Sequence, residues 1–184
     1  AFQYIAPLAG VPQGNFEPAQ FLVTPKKQEI IALNAIYTSK NTTITTDVAL
    51  SNVDINTFSS KDKNNDKGLA AKLNIENNHQ TKNKKTITTN ASYEWVDKSY
   101  RPLERLRPVE FSRDWGLPIL PNFATEHLPK LGIAFKDNQN NSIGYDVKAY
   151  YRNDGFSAVK HNFIHKHQTK NFILNTDISL VNNN

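Results

Sequence analysis

The sequence predicts an all-β, antiparallel protein, built as a meander of hairpins with about eight strands. Three observations support this fold class. Apolar and polar residues alternate with a period of two through eight stretches of the chain. The pentapeptide HQTKN occurs twice, at residues 79–83 and 167–171, and TSKN at residues 38–41 is similar to it. No stretch shows the 3.6-residue period of a convincing amphipathic helix.

The elements follow in order along the chain. Residues 1–27 are expected to form an irregular, proline-containing entry segment. Residues 28–96 predict four strands in QEIIALNAIYT, TTITTDVALSN, GLAAKLNIEN and TITTNASYEW, and residues 131–184 predict four more in LGIAFK, SIGYDVKAYY, FSAVKHNFIHKH and FILNTDISLV. In TTITTDVALSN, for example, Ile44, Val48 and Leu50 share a face opposite Asp47. Most of the eight predicted strands have the ~9–11 residues that a strand needs to cross a bilayer obliquely.

The repeated pentapeptide is interpreted as a hairpin turn. Its copy at residues 167–171 leads into FILNTDISLVN, much as TSKN leads into TTITTDVALSN, so that residues 37–54 align with residues 167–184. Asn tolerates positive φ and Lys keeps the tip of a turn soluble, which suits Lys-Asn to this position. The alternative is a recognition motif displayed at the tips of loops.

Residues 97–130 break the alternation and concentrate proline and arginine. Pro102 could begin a helical turn through PLERL, which Pro108 would end. The acids close enough in sequence to pair with the arginines Arg101, Arg105, Arg107 and Arg113 are Glu104, Glu110 and Asp114. We expect a long crossover pinned by such pairs, and a partner-docking or lumen-filling element is the alternative. The role of residues 101–115 stays open at this point.

Two groups of residues have some features of a metal site. Asp62, Asn64 and Asp66 have the spacing of calcium ligands, but Lys67 stands where the loop needs Gly and Leu73 stands where it needs Glu. We therefore favour a plain loop over calcium binding. The residues His161, His165 and His167 share one strand parity. His161 and His165 would lie ~13 Å apart on an extended strand, and a third ligand for His165 and His167 is not evident, so we expect surface histidines and no metal.

Composition and motifs favour a non-enzymatic protein without a cofactor. The chain has no Cys, which excludes disulfides and thiolate sites, and its net charge of +5 comes from dispersed lysines rather than a nucleic-acid-binding stripe. No nucleophile elbow, zinc-hydrolase motif or phosphate loop is present, and no small-molecule substrate is expected. Asp47, Asp146 and Asp177 lie on predicted strands, where a glycosidase pair could sit. A polysaccharide-active enzyme is thus a remote alternative.

The alternating apolar residues form one face of the strands, which must be covered either by protein or by lipid. In a soluble β-sandwich it points inward, whereas in an outer-membrane barrel it points outward. This parity is almost free of charge, with His161 and His165 as exceptions, and Tyr37, Trp95, Tyr151 and Phe172 lie near strand ends, where interfacial aromatics would sit. We favour the barrel, with Val147 facing lipid and Lys148 facing inward. A soluble glycan-binding module would instead expose an aromatic residue, for which Trp115 is the best candidate.

The segments ALSNVDINTFSSKDKNNDKGLAAKL (residues 49–73) and YRPLERLRPVEFSRDWGL (residues 100–117) resemble parts of very large, mostly uncharacterised Bacteroidota cell-envelope proteins rich in repeated β-strands. The similarity extends through the strands after Leu131 and transfers no functional residue. It implies an exported, envelope-associated protein much longer than this chain.

Together these observations predict one structural domain, a piece of a larger outer-membrane barrel with a structural or transport-scaffold role. Its partners would be outer-membrane lipid and further strands of the same or another envelope protein. The alternative is an extracellular or cell-surface β-sandwich module that binds a partner or a glycan.

Overall fold

A single antiparallel sheet makes up most of the computed structural model, which describes residues 3–14, 23–61, 63–117, 123–139 and 141–183. Its eight strands are β1 (Lys27–Thr38), β2 (Thr42–Asp54), β3 (Lys67–Gln80), β4 (Thr86–Val96), β5 (Glu126–Lys136), β6 (Ser142–Arg152), β7 (Ser157–Gln168) and β8 (Ile173–Asn183). They lie in the sheet in sequence order, so the predicted all-β antiparallel meander is confirmed. β1 and β8 form the two edges, and the sheet is not closed. No helix of the described residues is long and apolar enough to cross a membrane.

Both HQTKN copies lie at hairpin turns, as predicted. The Thr81 N–H donates to the Lys85 carbonyl at 2.8 Å, and the Thr169 N–H donates to the Phe172 carbonyl at 2.8 Å. The expectation that Asn supplies the positive φ is wrong for both copies, since neither Asn83 nor Asn171 adopts one; in the first turn it is Lys84 that does, at φ 58°. The connections 39–41, 81–85, 137–141 and 169–172 all lie at one end of the sheet, here called the short-turn end. The connections 55–66, 97–125 and 153–156 lie at the opposite, long-loop end.

The strand register gives the sheet two faces of different chemistry. The apolar face carries Val48, Leu73, Tyr93, Leu131, Val147 and Ile178, whereas the polar face carries Asp47, Lys72, Glu94, Lys130, Lys148 and Asp177. Successive side chains of a strand point to opposite sides, so the period-two alternation of the sequence becomes this division. Every pairing is antiparallel and in register along neighbouring strands, which keeps the two faces separate across the whole sheet.

Burial is concentrated on the polar face, near the long-loop end. Ser51, Tyr150 and Arg152 are buried there, and Tyr150 is fully inaccessible. On the apolar face, by contrast, Leu33 is 71% exposed and Leu131 is 60% exposed. The difference arises because residues 97–117, here called the crossover, lie across the polar face.

Within the segment expected to be irregular, the positions of two elements differ from the prediction. The only helix of the described residues, α1, spans Phe111–Trp115 instead of PLERL, and Gly116 ends it with φ 68°. Its C-terminal carbonyls accept from the N–H groups of Gly116 and Leu117. β5 begins at Glu126 and includes Pro129, although this stretch was expected to be irregular through residue 130. Pairing between β5 and β6 is interrupted there, since proline has no N–H.

Candidate functional site on the polar face

The backbone of the crossover rests directly on strands β2 and β3. Gly68 of β3 has no room for a side chain, because a Cβ there would lie 2.1 Å from the backbone nitrogen of Tyr100. The Arg101 N–H donates to the Ser51 Oγ of β2 at 3.0 Å, and Ser51 is fully buried. Glycine and a small hydroxyl residue on adjacent strands therefore form the seat of the crossover.

The guanidinium of Arg107 joins the crossover to strands β4 and β5. Its Nη2 donates to Glu126 Oε2 at 2.7 Å, and its Nη1 contacts Glu94 Oε1. Burial alone would lower the pKa of Arg107, but the charges of Glu94 and Glu126 and their hydrogen bonds outweigh burial and raise that pKa. Each carboxylate also has a second cation, since Lys72 Nζ lies 4.0 Å from Glu94 and Arg152 Nη1 lies 3.5 Å from Glu126.

An aromatic cluster holds α1 against strand β6. The rings of Phe111 and Trp115 lie 5.3 Å and 5.4 Å from that of Tyr150, measured between centroids. Phe156 packs against Tyr150 from the turn between β6 and β7, at 5.7 Å. Trp115 is only 5% exposed, so the expectation of an accessible aromatic at this position is wrong. The reason is that Trp115 lies on the side of α1 that faces the sheet.

The arginines of the crossover find different partners from those predicted. Arg113 alone pairs with the acids expected from proximity in sequence, Glu110 and Asp114, and it does so in solvent. Arg101 donates to the carbonyls of Lys98 and Tyr100 and stacks on the Phe123 ring at 3.9 Å. The carboxylates that bind Arg107 come from strands outside the crossover, Glu94 from β4 and Glu126 from β5, and the strand register brings them together beside it.

In the described part of the calcium-like loop, the ammonium group of Lys63 lies near Asp66 of the loop and near Asp54 at the end of β2. Lys63 Nζ lies 2.5 Å from Asp54 Oδ2 and 3.9 Å from Asp66 Oδ2. Asp62 lies outside the described residues. Within the residues that the structure describes, no group of three or more His, Asp and Glu side chains could hold a metal ion.

The predicted histidine group lies on the apolar face. His161 Nδ1 and the Tyr145 hydroxyl lie at hydrogen-bond distance, 2.7 Å. The rings of His165 and His167 stack with a centroid separation of 6.4 Å. A second tyrosine–histidine pair, which was not predicted, joins Tyr93 to His127 at 2.7 Å. The sequence alone could not reveal these pairs, because the two partners belong to adjacent strands and only the strand register places them side by side.

The three strand carboxylates considered for catalysis share the polar face but lie on separate strands. Asp47 accepts a hydrogen bond from Asn34 at 2.6 Å, and Asp146 lies 3.3 Å from Lys130 Nζ. Asp146 and Asp177 are separated by β7, which places them about 10 Å or more apart at the usual strand spacing. A glycosidase pair needs roughly 5–9.5 Å between its two carboxyl groups, and no two of these three residues lie on adjacent strands.

The polar-face cluster is therefore an anchoring site, in which the crossover is held by a glycine seat, a shared guanidinium and an aromatic cluster. Among the described residues, every buried side-chain nitrogen or oxygen has a hydrogen-bond partner. No protein-family model matches the chain, and no curated protein or solved structure matches it.

Proposed function

We propose that this chain forms part of the wall of an outer-membrane β-barrel and has a non-enzymatic, structural or transport-scaffold role. The apolar face would contact lipid, and the polar face with its crossover would line the aqueous interior. One observation carries the proposal. The covering segment packs on the polar face, while the apolar face is left exposed by the part of the chain that the structure describes. A soluble sandwich would place its second layer over the apolar face instead.

The distribution of charge on the apolar face supports contact with lipid. In the eight strands, the charged residues on this face are Lys27, Glu29, Asp54 and Lys67, all near the long-loop end. The remaining length of the face carries apolar residues with some Thr, Asn, Ser and His. Since a Lys or Arg on the lipid face costs about 2–4 kcal/mol at the bilayer midplane, a band without such residues is what a lipid-facing surface requires.

Two histidines of this face are compatible with the same environment. His127 and His161 each share a hydrogen bond with a tyrosine hydroxyl on the adjacent strand. A buried polar group with a partner avoids much of the desolvation cost of an unpaired one. These cross-strand pairs allow imidazole rings to lie within an otherwise apolar surface.

Aromatic side chains lie toward both ends of the apolar face. Trp95, His127 and Tyr151 are direct neighbours across β4, β5 and β6 near the long-loop end. Tyr37 lies near the short-turn end, where it is 64% exposed. Aromatic residues favour the two interfaces of a membrane, and this arrangement supports the proposed orientation of the strands.

The edges of the sheet are the proposed sites of pairing with further strands, of the same or another envelope protein. β2 has neighbours on both sides, whereas its sequence counterpart β8 pairs only with β7 in the described chain. Asp47 and Asp177 are both on the polar face, and Val48 and Ile178 are both on the apolar face, so the repeat is also a structural one. A long unpaired edge favours the addition of another strand.

Site-specific quenching tests the proposed orientation. The chain has no Cys, so Val147→Cys and Lys148→Cys each provide a single labelling site. In the reconstituted protein, a fluorophore at position 147 should be quenched by lipid-borne reagents. A fluorophore at position 148 should be quenched by water-soluble reagents, which makes the two variants controls for each other. Absence of lipid quenching at 147, or a monodisperse protein without detergent, would contradict the proposal and favour the soluble binding module.

A further inference from the structure

We propose that three lysines in one row of the polar face bind a ligand that carries several phosphate groups. Lys130 of β5 is directly opposite Lys148 of β6, and Lys148 is directly opposite Lys160 of β7. All three are partly buried. This row, here called the lysine ladder, goes beyond the proposed barrel role, because it concerns binding on the face that the crossover partly covers.

The neighbouring row shows the usual arrangement of charge across strands. There, Asp47, Lys72 and Glu94 alternate in sign across β2, β3 and β4, and Lys72 Nζ lies 4.0 Å from a Glu94 oxygen. Opposite charges on facing residues stabilise a sheet, whereas like charges on facing residues destabilise it. Three like charges in a row are therefore a cost to the isolated sheet that a bound anion would remove.

The protein supplies little negative charge to the lysine ladder. Asp146 lies 3.3 Å from Lys130 Nζ. The Asp146 Oδ1 lies over Gly132 of β5, since a Cβ added to that glycine would be only 2.5 Å from it. The carboxylate of Asp146 therefore points toward β5 and away from Lys160, which is on β7. Among the described residues, neither Lys148 nor Lys160 has a carboxylate within ion-pair distance.

The other carboxylates on this part of the polar face already have cationic partners. Glu94 contacts Arg107, and Glu126 contacts both Arg107 and Arg152. Asp177 lies on β8, beyond β7, and is opposite Ile164 rather than a lysine of the ladder. The ladder therefore retains an excess of positive charge after all of the described neighbours are considered.

The dimensions of the ladder indicate the class of ligand. At the usual strand spacing, its three Cα positions span about 10 Å, so linked phosphates can contact all three ammonium groups without drawing these like charges together. Toward the long-loop end, the next row of side chains contains Tyr150, which α1 covers through Trp115. Toward the short-turn end, the next row contains Asn162, whose amide group can also donate. Flexible ammonium groups bind phosphate as point charges, so a chain of two or three linked phosphates fits this row best.

Calorimetric titration with inorganic triphosphate tests the proposal in detergent, without a bilayer. The unmodified protein should bind saturably, and Lys148→Gln should weaken the affinity at least about fivefold, the effect of losing one charge contact at the dielectric of water. The double variant Lys148→Gln/Lys160→Gln should weaken it by about 25-fold on the same basis. The matched control is Lys136→Gln/Lys166→Gln, which removes two lysines from β5 and β7 on the same face, at a row where Ser142 of β6 separates them. That control should bind within about twofold of the unmodified protein, as expected when the lost charges lie beyond close contact.

Two further measurements separate a phosphate-binding ladder from lysines that only stabilise the sheet or attract anionic lipid. Without ligand, Lys148→Gln should melt at the same temperature as the unmodified protein or higher, because it relieves repulsion between facing lysines. Binding to anionic lipid vesicles should not change in the double variant, since the ladder is on the face opposite the apolar one. No saturable binding of triphosphate, equal loss in the control, a lower melting temperature of Lys148→Gln or ladder-dependent lipid binding would each overturn the proposal. Failure here leaves the quenching test of the barrel role unaffected.

Discussion

Replacement of Arg107 by Met should detach the crossover from the sheet. Methionine keeps an unbranched side chain over Phe111 but removes the cation that joins Glu94 to Glu126. Loss of one partner from a buried ion pair costs about 3–5 kcal/mol. The two glutamate side chains are 21% and 17% exposed, and each retains a second cation, Lys72 or Arg152. We therefore expect the free energy of unfolding to fall by about 2–3 kcal/mol, at or just below the lower limit of that range.

The assay is thermal or denaturant unfolding in a single detergent, with Arg113→Met as the matched control. Arg113 has a side chain 73% exposed and pairs only with acids of its own segment, so its replacement should cost no more than about 0.5 kcal/mol. For a chain of this size, 2–3 kcal/mol corresponds to a fall in Tm of about 4–12 °C. A protease that cuts after aromatic residues should also cleave the crossover of Arg107→Met faster. Equal stability and equal cleavage of the two variants would show that Arg107 does not anchor the crossover.

Three other perturbations test separate parts of the fold. Gly68→Ala should lower the free energy of unfolding by about 2–3 kcal/mol, because its Cβ would overlap the Tyr100 backbone. Gly144→Ala is the control and should be close to neutral in the same unfolding assay, since its Cβ would lie 3.6 Å from the nearest side chain. Insertion of Gly/Ser residues after Lys170 should leave the circular dichroism spectrum and Tm nearly unchanged, because this turn is exposed; loss of folding would show that the turn is packed. The hydrogen bond from Arg152 lowers the pKa of Asp154, so its contribution to stability is present above the unfolded pKa of about 3.9 and is lost as pH falls through the lower folded value. Asp154→Asn should flatten that part of the pH dependence of Tm, and an unchanged profile would contradict it.

The strands and turns could be predicted because their signals are local. Alternation in a stretch such as TTITTDVALSN already separates the polar Asp47 from Val48, and the structure places them on opposite faces. The repeated HQTKN marks connections that are too short to do anything except reverse the chain. Neither inference needs knowledge of which strand lies beside which.

The anchoring site could not be predicted, because it depends on register and on contacts distant in sequence. Arg107 was expected to pair with Glu104, Glu110 or Asp114, yet its partners are Glu94 and Glu126 on two strands of the sheet. Trp115 was considered as an exposed aromatic, but it is buried against Tyr150. Tyr150 lies on β6, which is distant from Trp115 in sequence. The lysine ladder likewise exists only once the lengths of two turns have fixed the alignment of β5, β6 and β7.

The meander order also has a consequence for the sequence of events during folding. Each strand pairs with the one just before it, so most of the sheet can grow hairpin by hairpin. The exception is the pairing of β4 with β5, because residues 97–125 separate these two strands. The crossover is different, since its seat on Gly68 exists as soon as β3 has formed, whereas Glu126 and Tyr150 arrive only with β5 and β6. Docking of Arg107 therefore requires β5, and docking of α1 requires β6, so the crossover is fixed in place only after the strands that it covers have paired.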